Sequence, residues 1–353
     1  MDGMVMVSYF KGKKVLLTGH TGFKGSWLSC VLLAAGAEVC GYALAPTEPS
    51  LFNLCALGGR MQSHTGDIRD LEKLRSAYNS FNPEFVIHMA AQPLVIDSYR
   101  DPTYTYDVNV MGTVNILECV RSATDTKAFL NVTTDKVYRN NEWHWGYRED
   151  DVLCGQDPYS NSKSCSELVT YSYRRSFFEN NQTAIATARA GNVIGGGDFA
   201  ENRIIPDCVR AAMNNRKIIV RNKDSIRPWQ HVLEPLRGYL MLLKALAETG
   251  SHYGGAYNIG PEDADCVPVE TLVSLFCTYW PDAQWEYQPQ PDAVHEANFL
   301  KLDCSKIKNE LGYSPKWNIE AAIKKSAEWS LAYAGQGNML DVTMAQIKDY
   351  FEM

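Results

Sequence analysis

The chain has 353 residues, 45% of them hydrophobic and 21% charged, ordinary usage for a folded protein and unlike disorder or low complexity. Its length allows two units, or one large α/β unit with an elaboration, and its formal charge of −7 lacks the basic excess that binding a nucleic-acid backbone needs. The ten cysteines make no C-x-x-C pair and no zinc-ligand spacing with a histidine, so they read as reduced thiols of a cytoplasmic protein, and no metal is expected. Trp27 to Ala37, the longest apolar stretch, falls short of the about 20 residues a bilayer span takes, and Met1-Asp2-Gly3-Met4 opens no secretory signal; neither nucleic acid nor membrane is an expected partner.

In chain order, the first predicted strand, Lys14–Thr18, runs directly into Gly19-His20-Thr21-Gly22-Phe23-Lys24-Gly25-Ser26 and then into an apolar helical window at about 23–36. Glycines in that context have mechanical roles. One makes a tight turn, one lets the backbone approach a pyrophosphate, and one lets the helix pack closely on the strand, while the helix N-terminus offers free N–H groups. The spacing G-x-x-G-x-x-G is one residue wider at the first gap than the dinucleotide fingerprint, and Lys24, five places after Gly19, breaks the G-x-x-x-x-G-K pattern of a P-loop. An ordinary strand-to-helix turn is the competing reading.

Further strands are predicted at Glu38–Tyr42, Met61–Thr65, Phe85–His88, Phe129–Thr133 and Ile185–Ala188, separated by helical windows at about 70–81, 103–123 and 158–180. That alternation predicts an α/β fold, a Rossmann-type doubly wound parallel sheet of six strands. The second strand ends Gly41-Tyr42-Ala43-Leu44 with no acid at its tip to hold a ribose 2′-OH. Glu48 stands at about the right distance, and no Arg waits there for a 2′-phosphate, so NAD is expected with NADP left open. After Gly191 the pattern changes to Gly195-Gly196-Gly197-Asp198 and shorter, proline-punctuated elements. This predicts a dinucleotide domain over 1–190, with helices returned to it from about 231–250 and 319–335, and a smaller mixed α/β substrate region over 191–353. Residues 336–353 are expected to form a loose tail with a last short helix and no functional content.

Tyr159 and Lys163 sit four apart on the predicted helix at 158–180, so both project from one face. An ammonium beside a phenol stabilises the phenolate, which makes Tyr159 a usable general base. The fifth strand ends Thr133-Thr134-Asp135-Lys136, placing polar residues at the carboxyl end of a parallel strand, where open α/β sheets bind ligands. A carboxylate and an amine side by side there can serve as acid and base; a surface ion pair is the bland alternative. His88, at the end of a strand, reads as a core residue.

Together, Gly19-x-x-Gly22-x-x-Gly25, Gly66-Asp67-Ile68, His88-Met89-Ala90-Ala91-Gln92, Asn109 and Tyr159-x-x-x-Lys163 resemble the extended short-chain dehydrogenase/reductase superfamily, over about residues 12–330. Within it, Thr134-Asp135 before Lys136 resembles the catalytic triplet of the nucleotide-sugar 4,6-dehydratases, and Arg227-Pro228-Trp229-Gln230-His231-Val232 resembles the branch acting on CDP-glucose. The resemblance implies a cofactor site of Gly19, Thr21, Gly22, Phe23, Lys24, Gly25, Asp67, Ile68, Ala90, Ala91, Gln92, Asn109, Tyr159 and Lys163. It also implies a hidden redox cycle. Tyr159 takes the 4-OH proton while the C4 hydride passes to NAD, water leaves from C5 and C6, and the hydride returns to C6. Thr134 holds the 4-oxygen, Asp135 protonates the departing 6-OH, and Lys163 holds the nicotinamide ribose and keeps the Tyr159 pKa down.

One departure from that pattern matters. Better-known dTDP-glucose relatives carry a glutamate as the C5 base where this chain has Lys136, which must be neutral to act so. Asn192, Arg203 and Arg227 are the expected contacts to the sugar-nucleotide diphosphate, which wants charge-assisted donors. The resemblance further implies a homodimer or homotetramer built on a four-helix contact between helices near 103–123 and 158–180. A dehydratase of a dTDP- or GDP-linked sugar, a nucleotide-sugar 4-epimerase, and a non-catalytic NAD-sensing regulator remain as alternatives.

Overall fold

A computed structural model describes residues 3–179, 181–289 and 298–353. Seven strands, β1 (Lys14–Thr18), β2 (Glu38–Ala43), β3 (Gln62–Thr65), β4 (Phe85–His88), β5 (Ala128–Thr134), β6 (Ala184–Ala190) and β7 (Gly255–Ile259), form one sheet in the order β7-β6-β5-β4-β1-β2-β3. All its pairings are parallel. The six expected strands are present, and β7 is added from beyond Gly191, Ile259 standing opposite Ala190. Every residue of β4, β5 and β6 is buried, as a sheet covered on both faces requires.

The longer helices are α1 (Phe23–Ala34), α2 (Leu71–Phe81), α3 (Gly112–Arg121), α4 (Pro158–Tyr173), α5 (Ile204–Met213), α6 (Leu233–Thr249), α7 (Val269–Tyr279), α8 (Ile319–Ala334) and α9 (Met339–Phe351). Local chemistry sets several ends. Asp70 caps α2 by accepting from the Lys73 N–H, and α2 stops at Asn82, whose φ of 52° is left-handed. Asp157 caps α4 through the Ser160 N–H, with Pro158 in the first turn. Two hydrophobic clusters cover the sheet: Trp27, Val31, Leu236, Leu240 and Phe351 on one face, and Leu74, Ile116, Leu117, Phe129 and Ile185 on the other. A third gathers Ile205, Trp229, Phe276 and Ile323, all from beyond Gly191. There α8 packs against α7, while α6 lies on β5 and β6.

The helix expected over 103–123 is present and runs without a gap through Pro102–Tyr106, one wide helical turn at Asp107–Met111 and α3. The widened turn falls where Asn109 locks onto Gln92 and Ser162 and where Gly112 lies against Ile68. Likewise the helix expected over 158–180 continues from α4 through a second wide helical turn, Arg174–Phe178; residue 180 lies outside the described residues. One expectation needs correction. The expected loose tail is instead the 13-residue helix α9. It buries Ile347, Tyr350 and Phe351 completely or nearly so, because Tyr350 donates to Glu234 of α6 at 2.6 Å. No helix among the described residues is long and apolar enough to cross a membrane.

Candidate active site

The carboxyl ends of the strands open into a cleft of about 1620 Å³, larger than the roughly 300–1,000 Å³ of a single small-ligand pocket. It begins at the switch point between β1 and β4, from which the sheet order runs both ways. Gly19 turns with φ 77°, and a Cβ on it would lie 2.8 Å from the Ala90 nitrogen. A Cβ on Gly25 would stand 2.2 Å from the Gly19 carbonyl oxygen, so Gly25 sets the close approach of α1 to its own loop. Gly22 differs: its Cβ would meet nothing closer than that same oxygen at 3.5 Å. As the N-cap of α1 it also provides no side-chain cap, so this helix N-terminus faces the cleft with its N–H groups open to an anion. The donor set fits a dinucleotide diphosphate.

Around this cradle the cleft is lined by Thr21, Phe23, Lys24, Asp67, Ile68, Ala90 and Ala91. Thr21 Oγ1 donates to the Leu44 carbonyl at the tip of β2 at 3.0 Å. Asp67 is engaged by Arg69, Nη2 to Oδ2 at 2.7 Å, and that hydrogen bond holds its carboxyl below the usual range. Glu48 also lines the cleft and accepts from Asn53 Nδ2. Gln92 and Asn109, expected at the cofactor, instead stand buried behind the wall. Asn109 Oδ1 accepts from the Gln92 N–H at 2.9 Å and its Nδ2 donates to the Gln92 carbonyl at 3.1 Å; this reciprocal pair fixes the loop that carries Ala90 and Ala91. His20 is likewise a packing residue, buried over Gly41 and bonded to Ser63 at 2.7 Å. His88, as expected, is buried, with Thr18 at 2.7 Å.

At the end of β5, Thr134 Oγ1 donates to Asp135 Oδ1 at 2.9 Å, and Lys136 Nζ donates to the same oxygen at 3.3 Å. Asp135 is fully buried, yet its Oδ2 makes no hydrogen bond. That oxygen faces Gly191 on the cleft wall, where a Cβ would lie 3.3 Å away. Tyr159 joins this group through Thr134. Burial pushes the Tyr159 phenol up to about 12, and the Thr134 hydroxyl and Arg203 pull it back. Lys163, expected to do so, is not among the groups that pull it; its Nζ is turned to the Val132 carbonyl at 3.4 Å. Burial pushes Lys163 down to about 8 and Lys24 down to about 7, the neighbouring Lys163 and Arg203 adding to the latter.

Farther along, Asn192, Arg203 and Arg227 all line the cleft. Arg203 Nη1 pairs with Asp198 Oδ2 at 2.9 Å, and Arg227, 4% exposed, donates from Nη1 to the Ile226 carbonyl at 2.9 Å. Residues that the sequence reading did not mark are Asp198, the loop 93–97, Tyr287 and, behind the wall, Glu167. Asp198 sits in the glycine cluster five places before Arg203, a spacing that hints at the pair. Glu167 continues the Tyr159, Lys163 series by one more turn.

A glycine cradle at the switch point of a doubly wound sheet, with Tyr159 and Lys163 on one helix face beside it, defines the short-chain dehydrogenase/reductase class. More narrowly, the chain belongs to the GDP-mannose 4,6 dehydratase family, whose profile matches residues 16–326. It is 49% identical over 354 residues to the CDP-glucose 4,6-dehydratase of Salmonella typhimurium, with 98% of each chain covered. The dTDP-glucose 4,6-dehydratase of the same organism is 26% identical over 358 residues, covering 90% of this chain and 93% of the relative. Among solved structures, the dTDP-glucose 4,6-dehydratase of Streptomyces venezuelae with NAD and TYD bound superposes with TM-score 0.76 at 23% identity, covering 92% of this chain and 99% of that one. A UDP-glucose-4-epimerase of Stenotrophomonas maltophila reaches 0.80 at 20% identity, covering 92% and 100%. At these identities the structural likeness is one of fold.

Proposed function

We propose that the chain is an NAD-dependent lyase that converts CDP-D-glucose to CDP-4-dehydro-6-deoxy-D-glucose. The observation that carries this reading is the convergence of Tyr159, Thr134, Asp135 and Lys136 at the end of β5, a set that supplies an oxidation base and a separate acid/base pair for elimination. Bound in the cradle by Gly22, the α1 N-terminus, Asp67, Ile68, Ala90, Ala91 and Lys163, NAD supplies a reversible hydride acceptor, so oxidation and reduction cancel over one turnover. Tyr159 removes the proton of the sugar 4-OH and Thr134 holds the 4-oxygen. The resulting ketone acidifies C5–H, which Lys136 removes while Asp135 protonates the leaving 6-OH. One proton moved across the 3.3 Å contact from Lys136 Nζ to Asp135 Oδ1 gives a neutral amine and a carboxylic acid, the two forms that elimination needs. Asn192, Arg203 and Arg227 hold the substrate diphosphate.

The acid/base pair favours elimination over 4-epimerisation, which requires none. A homodimer, or a homotetramer of two such dimers, forms through the wide turn at 107–111, α3 and α4. Support comes from the large apolar side chains there and in the turn 174–178 that continues α4: Met111 at 49%, Leu168 at 53%, Tyr171 at 58% and Phe177 at 48% exposed. A reducing cytoplasm suits the ten free thiols. The test is incubation with CDP-glucose and dTDP-glucose in parallel, with and without added NAD, following the alkaline chromophore of a 4-keto-6-deoxy sugar. Chromophore from CDP-glucose is expected; a simple epimer, or turnover of dTDP-glucose alone, overturns the reading.

A further inference from the structure

Tyr159, Lys163 and Glu167 stand at i, i+4 and i+8 on α4, stacked along one face about a turn apart. Glu167 is only 3% exposed and touches neither cleft nor solvent. Its carboxylate gathers Thr133 Oγ1 from β5, Thr187 Oγ1 at 2.7 Å and Arg189 Nη2 at 2.9 Å from β6. Arg189, itself 3% exposed, is committed to this carboxylate, to the Tyr138 hydroxyl and to the Glu149 carbonyl, each of the latter at 2.8 Å. Thr133 directly precedes Thr134, so the carboxylate ties the tyrosine-bearing helix to the strand that carries the acid/base pair.

A buried ion pair is a poor stabiliser in itself, since desolvation offsets most of its attraction. This one lies one turn from a buried lysine whose charge the site needs. We infer that Glu167 is a positioning residue of the reaction centre, whose carboxylate is the counter-charge one turn along α4 from Lys163 and holds α4 in register with the carboxyl ends of β5 and β6. This inference rests on the reading that Lys163 serves a bound dinucleotide.

Lys163 is faced by Lys24 from α1, by His88 from β4, by the Val132 carbonyl of β5 and by Glu167 on its own helix. Lys24 is itself pushed down to about 7 by burial, with Lys163 adding to the effect, so it has largely lost its charge where Lys163 titrates. Burial pushes His88 to about 3, so it stands neutral. Glu167 is the neighbour that raises Lys163 against its burial.

The test uses the full chain and the variants Glu167→Gln, Arg189→Met and the double variant. Binding of NADH is followed by fluorescence from pH 6.5 to 8.5 without sugar nucleotide, and kcat over the same range with CDP-glucose. In Glu167→Gln the alkaline limb moves about one pH unit lower. The NADH Kd relative to wild type rises from near parity at pH 6.5 to roughly tenfold at pH 8.5, as the charged fraction of Lys163 falls. Arg189→Met, which leaves the carboxylate to Lys163 alone, moves the limb the other way. The double variant, which removes both charges and is the control for folding, still shifts it lower. A limb unmoved in the double variant, or an equal loss at every pH, overturns the inference. If wild type turns over no CDP-glucose, the functional reading fails while the NADH titration still decides this one.

Discussion

Two alanine substitutions three residues apart are expected to have opposite phenotypes. In Gly25→Ala the new Cβ would lie 2.2 Å from the Gly19 carbonyl oxygen and 2.7 Å from His20 Cα, against a floor of 3.0 Å that real Cβ contacts respect. Both neighbours are backbone, so α1 and its loop must part by about 0.8 Å, an overpacking that costs roughly 1–3 kcal/mol. Alanine's helix propensity returns at most about 1 kcal/mol. The balance is a destabilisation of about 0–2 kcal/mol with a distorted loop. In Gly22→Ala the Cβ meets only an oxygen at 3.5 Å, and the native φ of −77° suits alanine, so the gain of about 0.4–1 kcal/mol through the unfolded chain is offset by alanine's poorer N-cap preference and stability changes by less than about 1 kcal/mol. The methyl group nevertheless occupies the space a pyrophosphate must approach, and NAD affinity should fall at least about tenfold, about 1.4 kcal/mol. Urea denaturation without cofactor, paired with NADH fluorescence titration, separates the two effects. Gly22→Ala binding NADH as tightly as wild type would refute the placement of the cradle.

Lys136→Met should abolish exchange of the substrate C5 proton with solvent; exchange at near wild-type rate would remove Lys136 as the base. Burial depresses His20 to about 4 and His88 and His231 each to about 3, below their unfolded values, so their contribution is complete above about pH 6.5 and is lost as pH falls. Each then takes away about 1.4 kcal/mol per pH unit between roughly 6 and 4, and unfolding free energies from urea denaturation at pH 7 and pH 5 should differ by several kcal/mol; equal values would contradict the burial of these rings. Leu168→Glu with Tyr171→Glu should yield a monomer in light scattering, and an unchanged mass would place the interface elsewhere.

Much of this arrangement is legible in the residues because it is local. Strands β1, β4 and β5 are short runs rich in apolar and β-branched residues set among helices of regular period, and the glycine loop follows its strand without a gap. Tyr159 and Lys163 are visible because four residues is one helical turn. What is illegible depends on partners distant in sequence. Strand β7, Gly255-Ala256-Tyr257-Asn258-Ile259, opens on glycine and carries a single β-branched residue, so it does not announce itself, and it exists because β6 offers it an edge. Asn109 reads as a cofactor ligand by motif, yet its amide is consumed by Gln92, 17 residues earlier. The polar start of 336–353 conceals a helix whose burial depends on Glu234, 116 residues before Tyr350. The raised Tyr159 phenol follows from burial, which no spacing reports.

Helix α9 also has a consequence for biosynthesis. It packs against α1, closing the same core cluster that contains Trp27 and Val31. About 300 residues separate the two helices, so at the 5–20 residues per second of translation the phosphate-loop helix waits roughly 15–60 s for its last neighbour. During that interval the emerging chain carries an apolar face with no internal cover, and it is then, rather than in the finished protein, that holding chaperones have most to recognise.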